Sequence, residues 1–310
     1  MADTSGTLTT TDVVRSHLRG HRADVRGLGF QVLLLLSLLV SLLFLIVLLS
    51  DILIKAIPVF QERGIDVVRG NISSLPERAG VAQGISGSLL LILFVVVIAF
   101  PLGIGAAVYL EEYASDTRLN RFINVNVRNL AGVPSVVFGL LGLAIFVKLF
   151  GNLTGGRSVL SAGITLSLLV LPIVIITAAE ALRAVPNSIR EAGYGVGATK
   201  WEVIRSHVLP SAAPGILTGT VLSLSRAIGE TAPLLMVGAV SGFFAVSSDN
   251  LLDRLQSQFT ALPVIVYNWA RLPDPGFREL TSAAIVILLL LTLTANAAAI
   301  MLRNRYDRKW

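Results

Sequence analysis

Long stretches without charge dominate the chain. Residues 27–50, 79–110, 129–147, 158–179 and 280–302 contain no Asp, Glu, Lys or Arg, and 206–248 is interrupted only by Arg226 and Glu230. A helix needs about 20 apolar residues to cross the hydrocarbon layer, and these stretches reach that length. The pattern predicts an all-α integral membrane protein with six transmembrane helices, at about 28–50, 84–110, 129–149, 158–182, 211–240 and 280–302. The first stretch is too long and too leucine-rich for a cleaved leader, and no small-residue cleavage site follows it closely, so it reads as a retained anchor.

Composition sharpens this reading. Of 310 residues, 54% are hydrophobic and only 14% charged, where a soluble domain would carry about a quarter charged. The 25 Lys and Arg residues fall unequally between spans: with the N-terminus inside, inner segments hold 15 and outer segments 9. Cytoplasmic segments keep the positive excess, so both termini are expected in the cytoplasm. The basic residues flank spans and form no continuous stripe, which argues against nucleic acid and for membrane lipid as the surrounding partner. With no cysteine, neither disulfides nor a thiolate metal site can form. His17 and His21 stand four apart, a spacing a metal could use, but no Glu accompanies them and no metal is expected.

Residues 1–26 read as a polar cytoplasmic tail, and 27–310 as one transmembrane domain without internal repeats. Residues 51–78 carry four basic and four acidic residues with Pro58, Gly64, Gly70 and Pro76, and read as an outer loop. Residues 241–279 form a second outer linker, with Tyr267 and Trp269 expected at the membrane interface and a turn at Pro273–Gly276. Pro101, Pro134 and Pro172 are each expected to interrupt a span.

The inner segment 186–210 carries two helix-start patterns. Ser188 with Glu191 and Thr199 with Glu202 each fit the capping box, in which hydroxyl and carboxylate satisfy backbone donors reciprocally. Gly195 and Gly197 lie between them, where the chain can turn. The expectation is a short helix, a bend and a second short helix along the membrane surface, suited to docking in a groove of a soluble partner or to lying on lipid.

This segment resembles the EAA loop of ABC importer permeases: Glu191, Ala192, Gly197, Leu209 and Pro210 stand at that motif's spacing, while Gly193 replaces an Ala and His207 an Ile. Three further stretches, Pro101–Tyr113, Gly132–Leu140 and Arg226–Leu235, are similar to those of phosphate importer permeases, and Ala232 with Pro233 after Gly-Glu-Thr favours the PstA over the PstC type. The resemblance covers residues 84–310 and implies an ABC type I importer permease. Its implied partners are a PstC-like second permease, two cytosolic PstB-like ATPases that hold ATP and magnesium, and a PstS-like external phosphate-binding protein. It further implies that the loop docks on the ATPase, and that this chain binds no cofactor itself.

Charges inside the spans are the candidate pathway residues. Arg226 lies midway along the fifth apolar stretch, where an arginine costs about 2.5–3.5 kcal/mol on insertion scales. Glu230, four residues on, can pair with it. Pro233 is expected to kink the helix beside them. A guanidinium fork matches phosphate oxygens, so Arg226 is a candidate anion contact, and a structural Arg226–Glu230 pair is the competing reading. Glu180 and Arg183 are expected to pair near the inner end of span four, as a gate or as an interfacial pair reaching water.

Catalytic classes find no support. His-Glu-x-x-His and Gly-x-Ser-x-Gly are absent, and none of the four lysines follows a glycine, which excludes a Walker-type phosphate loop. A permease for another oxyanion such as sulfate or molybdate, and a proton-coupled secondary transporter using Glu230, remain as alternatives.

Overall fold

The computed structural model describes residues 25–240 and 250–306, and every regular element in them is helical. The N-terminal tail with His17 and His21, and the first part of the linker after residue 240, lie outside the described residues. The chain divides into two compact units at Ile52 and Leu53, inside the first helix, α1 (Val25–Arg63). In the first unit, large apolar side chains from Leu28 to Leu49 are exposed around the whole circumference of α1. A surface of that kind is at rest only in lipid.

The second unit is built on α5 (Val159–Arg183), a helix buried along most of its length. Around it stand α2 (Ala82–Tyr113), the pair α3 (Arg118–Ala131) and α4 (Ser135–Leu149), and α7 (Lys200–Gly229). One core cluster joins Val95 and Ala99 of α2, Leu166 and Val170 of α5, and Leu224 and Ala227 of α7. Small residues permit the close approach, as is usual between membrane helices: Gly215 and Gly219 of α7 meet Ala181 and Thr177 of α5. After α7 come α8 (Ala232–Val237), α9 (Leu262–Trp269) and α10 (Pro275–Tyr306).

Among the described residues, α1, α2, α5, α7 and α10 are each long and apolar enough to cross a membrane, and α3 with α4 supplies a sixth crossing only as a pair bent by 102°. The third span is therefore not the straight 129–149 helix expected. Pro134 caps α4 in an extended conformation, and the residue before a proline is driven out of the helical region, so the chain breaks at Gly132–Pro134.

Pro101 and Pro172 do not interrupt their helices. Pro172 lies inside the continuous α5, where neighbouring helices compensate its missing donor. Pro101 follows a π-helical turn at Val95–Ala99, and Pro210 follows another at Ile204–Val208. The wider turn moves the carbonyl four residues back away from the proline ring, so both helices continue.

Two outer segments also differ from expectation. Residues 51–63 belong to α1, which continues through Pro58 before Gly64 turns with φ of +51°. Trp269 is buried against Phe277, with ring centroids 5.7 Å apart, while Tyr267 is exposed and lies under the Arg271 guanidinium. The apolar faces of α9 and α10 need a large ring between them, and that demand places Trp269 inside.

Candidate functional site

The segment 186–210 folds as an elbow. Its first arm is α6 (Asn187–Gly195). Gly197 follows with φ of +85°, the Ala198 amide donates to the Gly193 carbonyl at 3.2 Å, and the Gly197 amide donates to Tyr194 at 3.0 Å. These two bonds are a Schellman motif, which ends α6 and turns the chain. The second arm begins with a complete capping box: the Glu202 amide donates to the Thr199 hydroxyl, and the Thr199 amide donates to the Glu202 carboxylate at 2.8 Å.

The elbow corrects two expectations. Ser188 is not a cap, because Pro186 holds the N-cap position and places Ser188 one residue inside the helix, where it receives no cap bond. The second arm is not a separate short helix, since it runs on through Leu209 and Pro210 into α7. The elbow is thus the start of a membrane helix.

Gly193, which stands where the EAA pattern has alanine, is buried against Val203, and a Cβ there would lie 2.7 Å from a Val203 methyl carbon. The missing methyl lets the two arms close. On the outer side of the elbow Glu191 and Ala192 are exposed, as are Tyr194, Val196 (85%) and Trp201. His207 is exposed as well.

Beneath the elbow, the end of α2 brings together residues that sequence reasoning missed. Arg183 pairs with Glu111 and not with Glu180, which is exposed. Arg190 of α6 pairs with Glu112 at 2.7 Å, and this pair is enclosed, with side chains 17% and 5% exposed. The same guanidinium donates to the Val185 carbonyl at 2.8 Å and the Leu182 carbonyl at 3.0 Å. It therefore satisfies carbonyls at the C-terminal end of α5, where a cation is also favoured by the helix dipole. Lys200 lies over the Tyr113 ring, 5.1 Å from its centroid.

Arg226 and Glu230 do meet, with Nε 3.3 Å from a carboxylate oxygen. Their setting differs from the kinked helix expected. Arg226 lies in the last turn of α7, which stops at Gly229; Glu230 is extended with φ −74° and ψ 122°, and Pro233 stands in the first turn of α8, where no amide donor is needed. The expected fifth span, 211–240, is interrupted after Gly229 and not kinked, although α7 alone is long enough to cross. Arg226 is half exposed (50%) and Glu230 largely enclosed (14%). The nearest approach of the guanidinium to Glu230 is through Nε, and among the described residues no hydrogen bond from its terminal nitrogens is seen.

The two broken spans pack on each other beside this pair. A Cβ on Gly139 of α4 would stand 2.7 Å from Pro233 Cα and 2.9 Å from Met236 Cβ of α8. The Gly132–Leu140 and Arg226–Leu235 stretches, about ninety residues apart in sequence, are thus one place in the fold.

Comparison with known proteins places this architecture. Residues 99–308 match the family described as binding-protein-dependent transport system inner membrane component. The chain is 37% identical over 232 residues to phosphate transport system permease protein PstA 1 of Mycobacterium tuberculosis, covering 74% of this chain and 73% of that protein. It is 38% identical to PstA of Yersinia pestis, with 71% of each covered, and 30% identical to PstA of Haemophilus influenzae, with 89% of this chain and 91% of that protein covered. Among solved structures, a bacterial ABC transporter importing the polysaccharide alginate is similar with a TM-score of 0.64 at 14% identity, covering 91% of this chain and 99% of that one. An inward-facing form of the MetNI methionine ABC transporter matches with a TM-score of 0.57 at 18% identity, covering 78% and 97%. At such identities these structures speak to the fold.

Proposed function

This chain belongs to the family of binding-protein-dependent transport system inner membrane components and, within it, to the PstA phosphate permeases, and from that membership we propose how its own residues serve phosphate import. It is a permease subunit of a phosphate ABC importer, a multi-pass protein of the bacterial inner membrane. In our reading it pairs with a PstC-like permease, receives phosphate from a PstS-like binding protein on the outer face, and rests its elbow on PstB-like ATPases in the cytoplasm. ATP and magnesium stay on those ATPases, and this chain is not an enzyme.

The elbow's exposed Tyr194, Val196 and Trp201 support the docking role. Apolar and aromatic side chains on a short, rigid elbow are what a groove on a soluble partner can enclose. Glu191 and Ala192 lie on its first arm, and Gly197, Leu209 and Pro210 shape its turn and its passage into α7.

The observation that carries the pathway assignment is the Arg226–Glu230 pair at the break between α7 and α8. A buried ion pair would be expected to use the whole arginine fork at short range, yet the nearest contact here is a 3.3 Å approach of Nε and the side chain is half exposed. A planar fork with free donors binds tetrahedral oxyanions through paired N–H bonds. Glu230 holds Nε and orients the fork. Its carboxylate can also accept a hydrogen bond from the protonated oxygen that hydrogen phosphate carries and sulfate lacks at neutral pH.

Two variants test this in reconstituted importer. Arg226→Gln is expected to assemble normally and to lower radiolabelled phosphate uptake at least tenfold; uptake at the wild-type rate would remove Arg226 from the pathway. Glu230→Gln is expected to admit sulfate as a competitor, and undiminished discrimination against sulfate would refute the selectivity role.

A further inference from the structure

We propose that Glu111, Glu112 and Tyr113, the last three residues of α2, form the receiver through which movement of the elbow reaches α2 and is kept in step with α5. The inference rests on the permease reading above and assigns positioning residues that reading does not contain.

Three consecutive side chains hold three cations from three different segments. Glu111 holds Arg183 at the end of α5, Glu112 holds Arg190 of α6, and Tyr113 holds Lys200 at the start of α7. The three residues lie in a π-helical turn, Tyr109–Tyr113. Successive residues of a helix project in different directions around its axis, so three in a row can meet partners on three sides. Among the described residues, Arg190 makes every side-chain hydrogen bond from α6 to α2 and α5.

The central pair is also hard to slacken. Arg190 uses its fork on Glu112 and on the Leu182 and Val185 carbonyls, and Glu112 is nearly closed to solvent. Pulling such a pair apart would strand a charge in a poorly solvated place. A shift of α6 is therefore better accommodated by moving α2 and α5 with it than by opening the pair. The outer pairs, Arg183 with Glu111 and Lys200 with Tyr113, are more exposed and yield more readily. This grading makes Glu112–Arg190 the stiff link and the other two its guides.

A link that merely stabilises the fold and a link that transmits motion are separated by the phosphate imported per ATP hydrolysed. The chain has no cysteine, so Glu112→Cys with Arg190→Cys introduces its only thiols. Full importer, with cysteines removed from the other subunits, is reconstituted in proteoliposomes. ATP hydrolysis and phosphate import are measured before linking, after bridging with a reducible bis-methanethiosulfonate, and after reduction. The expected result is hydrolysis within twofold of wild type, a coupling ratio lowered tenfold or more before linking, recovery to within threefold once bridged, and loss again on reduction. A wild-type ratio before linking, or a ratio that bridging does not raise, overturns the proposal. Should that variant not assemble, Arg183→Gln and Lys200→Gln on the exposed guides are each expected to lower the ratio two- to fivefold, and wild-type ratios in both overturn it. A wild-type complex that imports no phosphate refutes the permease reading instead.

Discussion

Gly139→Ala is the smallest perturbation that reaches the candidate pathway without touching its charges. The added methyl would stand 2.7 Å from Pro233 Cα and 2.9 Å from Met236 Cβ, against about 3.4 Å for ordinary contact. The nearer obstacle is backbone, so no rotamer change relieves it, and α4 and α8 must separate by about 0.7 Å. Overpacking of this kind costs about 1–3 kcal/mol. The strain falls at the junction that sets the distance from Arg226 to whatever passes it. Purified importer carrying Gly139→Ala is therefore expected to unfold at a lower temperature and to import phosphate more slowly, with ATPase docking unchanged. Gly105→Ala in α2 is the control: a Cβ there meets nothing within 4 Å, and alanine is the better helix former by about 0.8–1.0 kcal/mol. If Gly139→Ala matches Gly105→Ala in both stability and uptake, the two broken spans do not pack as described.

The elbow yields further tests. Thr199→Ala removes the capping box and should destabilise the second arm by about 1 kcal/mol, seen as faster hydrogen exchange over residues 200–203. Ser188→Ala should stay within about 0.5 kcal/mol of wild type, because Ser188 makes no cap bond. Gly197→Ala forces a side chain into the left-handed region at φ of +85° and should cost about 1–2 kcal/mol, weakening co-purification with the ATPase; unchanged co-purification would show that the turn need not be held. Ser225 of α7 donates to Asn296 of α10 at 2.7 Å, and Ser225→Ala should lower stability by about 0.6 kcal/mol, measured as a small drop in melting temperature.

Much of this architecture was legible in the sequence because hydrophobic length is a local property. The uncharged windows marked the long helices, and Thr199 with Glu202 marked the start of the second arm, since a cap depends only on residues three apart. Ser188 with Glu191 fits the same pattern and fails, because Pro186 takes the N-cap position first. The breaks were harder to place. Pro101, Pro134, Pro210 and Pro233 look alike in sequence, yet only Pro134 and Pro233 stand beside a real interruption, while a π-turn absorbs the others.

Long-range pairing was not legible at all. Arg183 has Glu180 one helical turn away, and nothing local says that it prefers Glu111, 72 positions earlier. Arg190 likewise finds Glu112 across 78 positions. The packing of α2 against α5 decides both, and that packing is a property of the assembled helices. Two adjacent acids at the end of an uncharged stretch, facing a later loop with Arg183 and Arg190, were the available signal. The Arg226–Glu230 pair, by contrast, was readable because its partners are four residues apart, although the helix end between them and Pro233 was not.

The central question is whether phosphate moves through this chain under power delivered by ATP. Proteoliposomes containing both permeases and the ATPases, with the phosphate-binding protein outside and ATP enclosed on the elbow side, measure this directly. Radiolabelled phosphate should accumulate only when ATP and the binding protein are both present, and should be indifferent to collapse of the proton gradient. Accumulation driven by a proton gradient with the ATPases left out would contradict ATP-powered import.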